Sequence, residues 1–493
     1  LKTSIDGFSR RRAGVLLHPT SLPGSLRCGS LGRNALQFIE FLATAGFSVW
    51  QMLPVGPTGP GDSPYQSGSV HAGNPRLIDL EWLQQRGWLH ENWHLATTDA
   101  ERWQIFSQSW HIFNAQATPA DRAAFEDFVV KHVWLEDYAL FQALHLEFNR
   151  GWWEWPAELR NREPPSLAAA SRNLADVIAV LKFAQFVFAT QWQELREFAK
   201  HKSVVLFGDM PIFVAHDSAE VWARREYFDL NSDGTTRVVA GVPPDYFSAT
   251  GQRWGNPLYL WEVMRQDGFT FWIERIHSQL ELFDLLRIDH FRGFEAYWEI
   301  PAAEPNAVRG RWVAADGDAL FTRLHEVFGN LPVVAEDLGI ITPEVEALKS
   351  RHALPGMKVL QFAFSGGPSN PYLPFNYTVD SVVYTGTHDN DTTLGWYRAL
   401  NHNDRSTVDD FLGWPQEPMP WPLIRLSLSS IAKLAIIPMQ DLLELGSEQR
   451  MNLPGTIDGN WQWRFYWEQM PNALAGRMRH LIESYGRIAN ESY

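Results

Sequence analysis

The feature that most limits what this chain can fold into is a recurrence. Eight short apolar runs, Gly14–His18, Ser48–Pro54, Val204–Asp209, Phe283–Asp289, Leu331–Glu336, Met357–Phe362, Ser381–Thr387 and Leu434–Asp441, each end in polar or turn-forming residues. Continuous runs such as Val204-Val205-Leu206-Phe207 suit parallel strands covered on both faces, where neither side meets water. Helical spacing fills the gaps. Residues 34–45 place Leu36, Ile39 and Leu42 on one face, and residues 269–282 and 318–328 carry similar stripes. Residues 343–353 open on Pro343, followed by Glu344 and Glu346, a good first helical turn. Strand alternating with helix eight times predicts an α/β chain closed into a (β/α)8 barrel.

The spacing within that barrel is uneven. About 150 residues separate the second and third runs, where a plain unit needs a few tens. Residues 121–149 and 174–200 carry long apolar stripes, and Arg162-Glu163-Pro164-Pro165 reads as the link between them. The expected organisation is therefore a catalytic barrel from residues 1–54 and 201–493, with a loop and helical subdomain inserted at 55–200. A second, loop-rich insert at 210–268 lies between strands 3 and 4. Its Gly, Pro and aromatic stretch Gly241–Pro257 predicts an ordered loop over a site.

Composition narrows the function. The net charge is −15, and the longest basic run is Arg10-Arg11-Arg12, so nucleic acid and anionic membrane surfaces are not expected partners. No apolar stretch is long enough to span a bilayer. The single Cys28 excludes an intrachain disulfide and points to a reducing, cytoplasmic setting, or to the plastid stroma in a plant. The chain is rich in aromatics, with 23 Trp, many in polar company, as in Gly151–Trp155 and Gly459–Trp463. Flat apolar rings edged by hydrogen-bonding groups suit sugars, although large proteins also use Trp as core filler.

In such a barrel, chemistry sits at the C-terminal strand ends. Four runs carry an acid there: Asp209, Asp289, Glu336 and the Asp389 of Thr387-His388-Asp389-Asn390. Arg287 lies two residues before Asp289 and so points the same way, which favours the ionised carboxylate that a nucleophile needs. Crowded acids repel, so one of the others is expected to hold a proton near neutrality. An arginine-stabilised carboxylate beside a protonated acid is equipment for glycosidic bond cleavage. Asp289 would attack the anomeric carbon and Glu336 would act as acid and base. Asp389 would grip sugar hydroxyls and help keep Glu336 protonated. A nucleophilic route places the first two carboxylates about 5–5.5 Å apart. Asp337 and Asp391 read as caps or salt-bridge partners, and His18, His71 and His216 as satisfying loop backbone. No metal-ligand spacing supports a metal site, and no cofactor is implied.

Arg287-Ile288-Asp289-His290-Phe291-Arg292-Gly293, Ala335-Glu336-Asp337-Leu338-Gly339 and Thr387-His388-Asp389-Asn390 strongly resemble motifs of the 4-α-glucanotransferases. These are the amylomaltases and disproportionating enzymes, family 77 of the glycoside hydrolases within the α-amylase superfamily. The resemblance runs from Leu17-His18-Pro19-Thr20 through Asp62-Ser63-Pro64-Tyr65-Gln66-Ser67 to Asn452-Leu453-Pro454-Gly455-Thr456. It implies Asp289 as nucleophile, Glu336 as acid/base and Asp389 as the third carboxylate. Arg287, His388 and Asp209 would hold substrate beside them, and Tyr65 would pack against bound glucan. Asp245 and Trp254 fall in the family's loop that closes over substrate. The implied reaction moves a segment of an α-1,4-glucan to the 4-hydroxyl of glucose or a maltooligosaccharide, by retaining double displacement. Spacing alone equally allows an α-1,4-glucan hydrolase, and a non-catalytic glucan-binding protein is the remaining alternative. Leu260 and Phe375 depart from the family's acidic residue and histidine at those positions, which bears on outer glucan contacts.

Overall fold

A computed structural model describes residues 8–24, 28–59, 61–90, 98–244, 248–456 and 458–488. Twelve strands form two sheets: β1 (Arg12–Leu16), β2 (Val49–Gln51), β3 (Val205–Met210), β4 (Val238–Val242), β5 (Gln252–Pro257), β6 (Leu285–Ile288), β7 (Ala296–Pro301), β8 (Arg311–Ala314), β9 (Val333–Ala335), β10 (Gly356–Val359), β11 (Ser381–Tyr384) and β12 (Leu434–Pro438). Eight of them run parallel in the order β10-β11-β12-β1-β2-β3-β6-β9. The Ala335 N–H donates to the Pro355 carbonyl at 2.8 Å, bringing β9 to the foot of β10 and closing the ring. The (β/α)8 barrel expected from the eight runs is therefore the fold, and each run supplies one of its strands.

Every residue of β1, β2, β3, β6, β9, β11 and β12 is buried. That two-sided burial is why these segments read as continuous rather than alternating apolar runs. Packing inside the ring is tight. A methyl group added at Gly14 of β1 would lie 2.6 Å from Ile436 and 2.7 Å from the Val49 carbonyl oxygen. The helices Arg33–Thr44, Thr270–Leu282, Gly317–Phe328 and Pro343–Arg351 lie where the apolar spacing puts them, and Pro343 occupies the first turn.

Between β2 and β3 the chain builds a set of helices, the longest being Asp99–Gln116, Trp134–Phe148 and Ala175–His201. Pro164 and Pro165, expected in a link, instead start the helix Pro164–Asn173. A proline there forfeits only amides that lack an intrahelical partner. Trp152 and Trp155 are fully buried in this region and Trp153 packs part-buried against them, so the tryptophans of Gly151–Trp155 belong to the core. Among the described residues, no single helix is long and apolar enough to cross a membrane.

The second sheet, antiparallel in the order β5-β4-β7-β8, is a feature the sequence pattern did not announce. Gln252–Pro257, expected as loop, is β5, and it pairs with β4. β7 and β8 come from the segment after β6, so two different barrel connections share one sheet. Glu299 and Arg311 stand opposite each other and form an ion pair at 2.7 Å, and the Trp298 and Trp312 rings meet at 5.3 Å. Such cross-strand pairs hold short, half-exposed strands whose own hydrophobic signal is weak.

Candidate active site

Register explains which side chains meet. Across β3 and β6, Asp209 is paired with Arg287. Across β6 and β9 the ladder ends at Ile288 and Ala335. One step further sets Asp289 opposite Glu336, with backbones about 5 Å apart by ordinary strand spacing. The Glu336 N–H to the Ile288 carbonyl at 3.0 Å carries the pairing past the strand end. The two acids thus emerge side by side at the same rim.

Arg287 is the hinge of the charge arrangement. Its Nη1 donates to both oxygens of Asp209, at 2.8 and 2.7 Å, and its Nη2 donates to Asp289 Oδ1 at 2.9 Å. The Asp209 side chain is 1% exposed, whereas that of Asp289 is 31% exposed and open to the cleft. Burial works against charge on both Asp209 and Arg287, and it raises the Asp209 carboxyl above the usual carboxylate range although the Arg287 contact opposes it. For Arg287, Asp209 and Asp289 together outweigh burial and hold its pKa well above the ordinary range. Asp289 therefore has a permanent cation on one oxygen.

Glu336 is placed differently. Its Oε2 accepts from the His290 N–H at 2.7 Å and its Oε1 from the Leu338 N–H at 3.1 Å. Burial dominates nonetheless, opposed by Arg287 and reinforced by the Asp289 charge, and pushes the Glu336 carboxyl up to about 8. The expectation that Asp389 keeps Glu336 protonated needs correction. The carboxylate that presses on Glu336 is first Asp289, with Asp337 a lesser contributor. Asp389 is engaged elsewhere. Its Oδ1 accepts from Asn452 at 2.6 Å and lies 3.4 Å from His388 Nε2, while the side chain is 47% exposed.

Tyr65 joins the two sides. Its hydroxyl donates to Asp209 Oδ2 at 2.7 Å and lies 2.8 Å from His388 Nε2. A phenol has one proton, so Asp209 receives it and His388 donates from Nε2, which assigns the tautomer from the network. The Tyr65 and His388 rings stack at 5.3 Å, and Trp461 approaches both, at 5.8 and 6.0 Å. The loop bearing His388 and Asp389 is anchored beneath by buried Asp441, which accepts from the hydroxyls of Thr385 and Thr393 and from the Thr393 N–H. Across the cleft, Trp254 of β5 meets the His290 ring edge-on at 4.9 Å. Asp245 lies outside the described residues.

The structure thus brings together Asp209, Arg287, Asp289, Glu336, Tyr65, His388 and Asp389, with Trp254 at the edge. Sequence reasoning marked Asn452 only as part of a family motif in the stretch 441–460, a candidate for closing over the acceptor, and it did not assign Trp461 to the site. The Trp-rich stretch around Trp461 was the available signal, but the same composition at Gly151–Trp155 turns out to be core. Asp337 is paired with Lys349 and accepts from the Met357 N–H at 2.6 Å. His216 Nε2 lies 2.8 Å from the Gly234 carbonyl, and His71 Nδ1 lies 2.7 Å from the Ser278 hydroxyl. His18 differs from expectation: its Nδ1 is buried and has no hydrogen-bond partner among the described residues. Among the described residues no cluster of His, Cys, Asp and Glu is arranged to hold a metal. Chemically, the site offers a carboxylate anchored on a cation, a neighbouring carboxyl that keeps its proton at neutral pH, and aromatic faces with polar rims.

Comparison with known proteins agrees with this chemistry. The family model described as 4-alpha-glucanotransferase matches residues 17–469. The 4-alpha-glucanotransferase of Thermus thermophilus is 51% identical over 97% of this chain and 99% of its own length. The chloroplastic/amyloplastic 4-alpha-glucanotransferase of Solanum tuberosum is 41% identical over 98% of this chain and 88% of its own. The structure of amylomaltase from Streptococcus agalactiae in complex with acarbose superposes with a TM-score of 0.94 at 36% identity, over 97% of this chain and all of the other. A barrel whose strand ends set an anion beside a protonated acid, and whose sequence matches that family along nearly its whole length, belongs to the 4-α-glucanotransferases, family 77 of the glycoside hydrolases.

Proposed function

We propose that this chain performs its family's 4-α-glucan transfer with Asp289 as nucleophile and Glu336 as the acid and base. The observation that carries the assignment is the register-imposed pairing of the two carboxyls. Arg287 holds Asp289 on one side, while burial and the Asp289 charge keep the proton on Glu336 on the other. An α-1,4-glucan donor lies across the barrel mouth. Asp289 Oδ attacks the anomeric carbon while Glu336 gives its proton to the departing glycosidic oxygen. The C–O bond breaks, and a glucosyl ester of Asp289 forms. The 4-hydroxyl of glucose or a maltooligosaccharide then loses its proton to Glu336 and attacks the same carbon. The ester bond breaks, Asp289 returns to carboxylate, and an α-1,4 linkage is restored with retention. The chain's own carboxyls supply nucleophile and proton, so the scheme calls for no cofactor.

Asp389, fixed by Asn452 and facing the cleft, is assigned to sugar hydroxyls, and Tyr65, with its ring against His388, to a glucose face. Trp254, whose ring meets that of His290 beside Asp289, is assigned to an acceptor sugar, and a sugar bound there would exclude water from the ester, a condition for transfer over hydrolysis. The single Cys28 and the plastid location in the names of plant relatives support a reducing compartment, the cytoplasm, or the plastid stroma in a plant. Incubation with maltotriose tests the reaction. Glucose together with a ladder of longer maltooligosaccharides is expected. Glucose and maltose in equal amounts, with nothing longer than the substrate, would mean hydrolysis.

A further inference from the structure

Glu220 lies outside the catalytic cluster, in the short helix Ala219–Ala223 beyond β3, and is 6% exposed. Among the described residues, no salt bridge neutralises it. Instead its Oε1 accepts from the Ser69 hydroxyl at 2.7 Å and its Oε2 from the Val70 N–H at 3.1 Å. Ser69, 2% exposed, is saturated: its hydroxyl oxygen accepts from the His71 and Ala72 N–H groups at 3.1 and 3.2 Å, so its proton must go to Glu220.

These contacts fasten one end of the segment that carries Tyr65. The segment leaves β2, doubles back through an antiparallel bridge between Thr58 and Ser67, and sets Tyr65 near the turn. Gly68 N–H donates to the Pro57 carbonyl at 3.0 Å, and Ala219 N–H donates to the Gly68 carbonyl at 3.0 Å. Gln185 grips Gly73 with two bonds, at 2.8 and 2.9 Å. The loop is thus tied at residues 68–73 to elements of the two inserts, and its other end presents the Tyr65 hydroxyl to Asp209 and His388.

Glu220 is costly where it stands. Burial pushes its carboxyl up from 4.5 to about 7, with the Ser69 and Val70 bonds opposing and Arg275 a lesser opposing charge. A carboxyl whose folded pKa exceeds its unfolded one holds its proton more tightly when folded, so the fold loses stability as pH rises through that window. The charged or titratable neighbours are Arg275, occupied by the Ile212 and Pro211 carbonyls, and the Tyr138 hydroxyl. A buried acid without an ion-pair partner that organises four consecutive residues of a site loop is better explained by position than by stability.

We propose that Glu220 is a positioning residue for transfer, acting through Ser69 to hold the Tyr65 loop in register with Asp209 and His388. This rests on Tyr65 serving the site as proposed above, and specifically on its hydroxyl linking Asp209 and His388. A glutamine at 220 has one acceptor oxygen where two are used, and its NH2 group must face either the Val70 N–H or the saturated Ser69 oxygen. The test compares maltotriose disproportionation by Glu220→Gln, Tyr65→Phe and the double variant, with thermal melting to confirm folding. Glu220→Gln is expected to lower kcat/KM about tenfold in the wild-type background and less than about twofold in Tyr65→Phe. If Glu220→Gln does not fold, Ser69→Ala in the same two backgrounds carries the same comparison. Equal fold losses in both backgrounds, or wild-type activity in a folded Glu220→Gln protein, would overturn the inference while leaving Tyr65 in its role. A fully active Tyr65→Phe would remove the role of the Tyr65 hydroxyl and the inference with it.

Discussion

A single residue, Arg287, ties two carboxylates together, one buried and one open to the cleft. Asp289→Asn keeps the shape but removes the attacking charge, so turnover is expected to fall on the order of 10³-fold or more, with oligosaccharide binding retained. Near wild-type turnover would reassign the nucleophile. The same substitution removes the charge that raises Glu336, so carboxyl ¹³C NMR of Asp289→Asn should show Glu336 titrating below its wild-type position. An unchanged titration would assign the shift to burial alone. In the proposed scheme, Glu336 donates the proton of the first step. Because its pKa is raised, the active protonated form persists through neutrality and is lost as pH rises through about 8, which predicts an alkaline limb in kcat/KM there. A rate flat to pH 10 would take the acid role from Glu336. These residues were legible in the sequence, since period-two alternation and a run ending suffice to place Arg287 and Asp289 on one face at one rim. The cleft contacts of Asn452 and Trp461 were not, because nothing local distinguishes an amide or indole aimed at a cleft from one aimed at solvent or core.

Among elements, the strand ends depend on neutralised acids that do no chemistry. Asp337, with a side chain 1% exposed, joins the end of β9 to Lys349 on the helix Pro343–Arg351 and to the first residues of β10. Lys349→Met would leave that carboxylate buried without its cation, an expected loss of about 3 kcal/mol in urea unfolding at pH 7. A loss below about 1 kcal/mol would mean that the Met357 amide alone satisfies Asp337. The eight barrel strands announced themselves because burial on both faces demands uninterrupted apolar residues. β7 and β8 did not. Their sheet is half-exposed, and its contacts with β4 join segments on either side of β6, a pairing that local pattern does not encode.

For the whole molecule, the proposed scheme assigns the balance between transfer and hydrolysis to the rim that the second sheet builds. Trp254 reaches His290, the neighbour of Asp289, only because β5 pairs with β4 and β4 pairs with β7, which leaves the site by the short turn Phe291–Phe294. Trp254→Ala is expected to raise the ratio of hydrolysis to transfer on maltotriose several-fold, with the covalent step little changed. An unaltered product ladder would place water exclusion elsewhere.

The sequence by itself determined the barrel, the four acids at its strand ends and the cation beside Asp289, because these follow from periodicity and from the direction in which successive side chains point. Tertiary structure decided the rest. Which carboxyl keeps its proton depends on burial and on a register match between β6 and β9, whose nearest ends, Ile288 and Val333, are far apart in the chain. Whether a tryptophan cluster is core or cleft, and which buried glutamate we propose to steady the Tyr65 loop, depend on contacts between distant segments, Trp152 with His216 and Ser69 with Glu220. Charge and burial at a point in space are sums over neighbours, and a linear pattern names the neighbours only when they belong to the same strand.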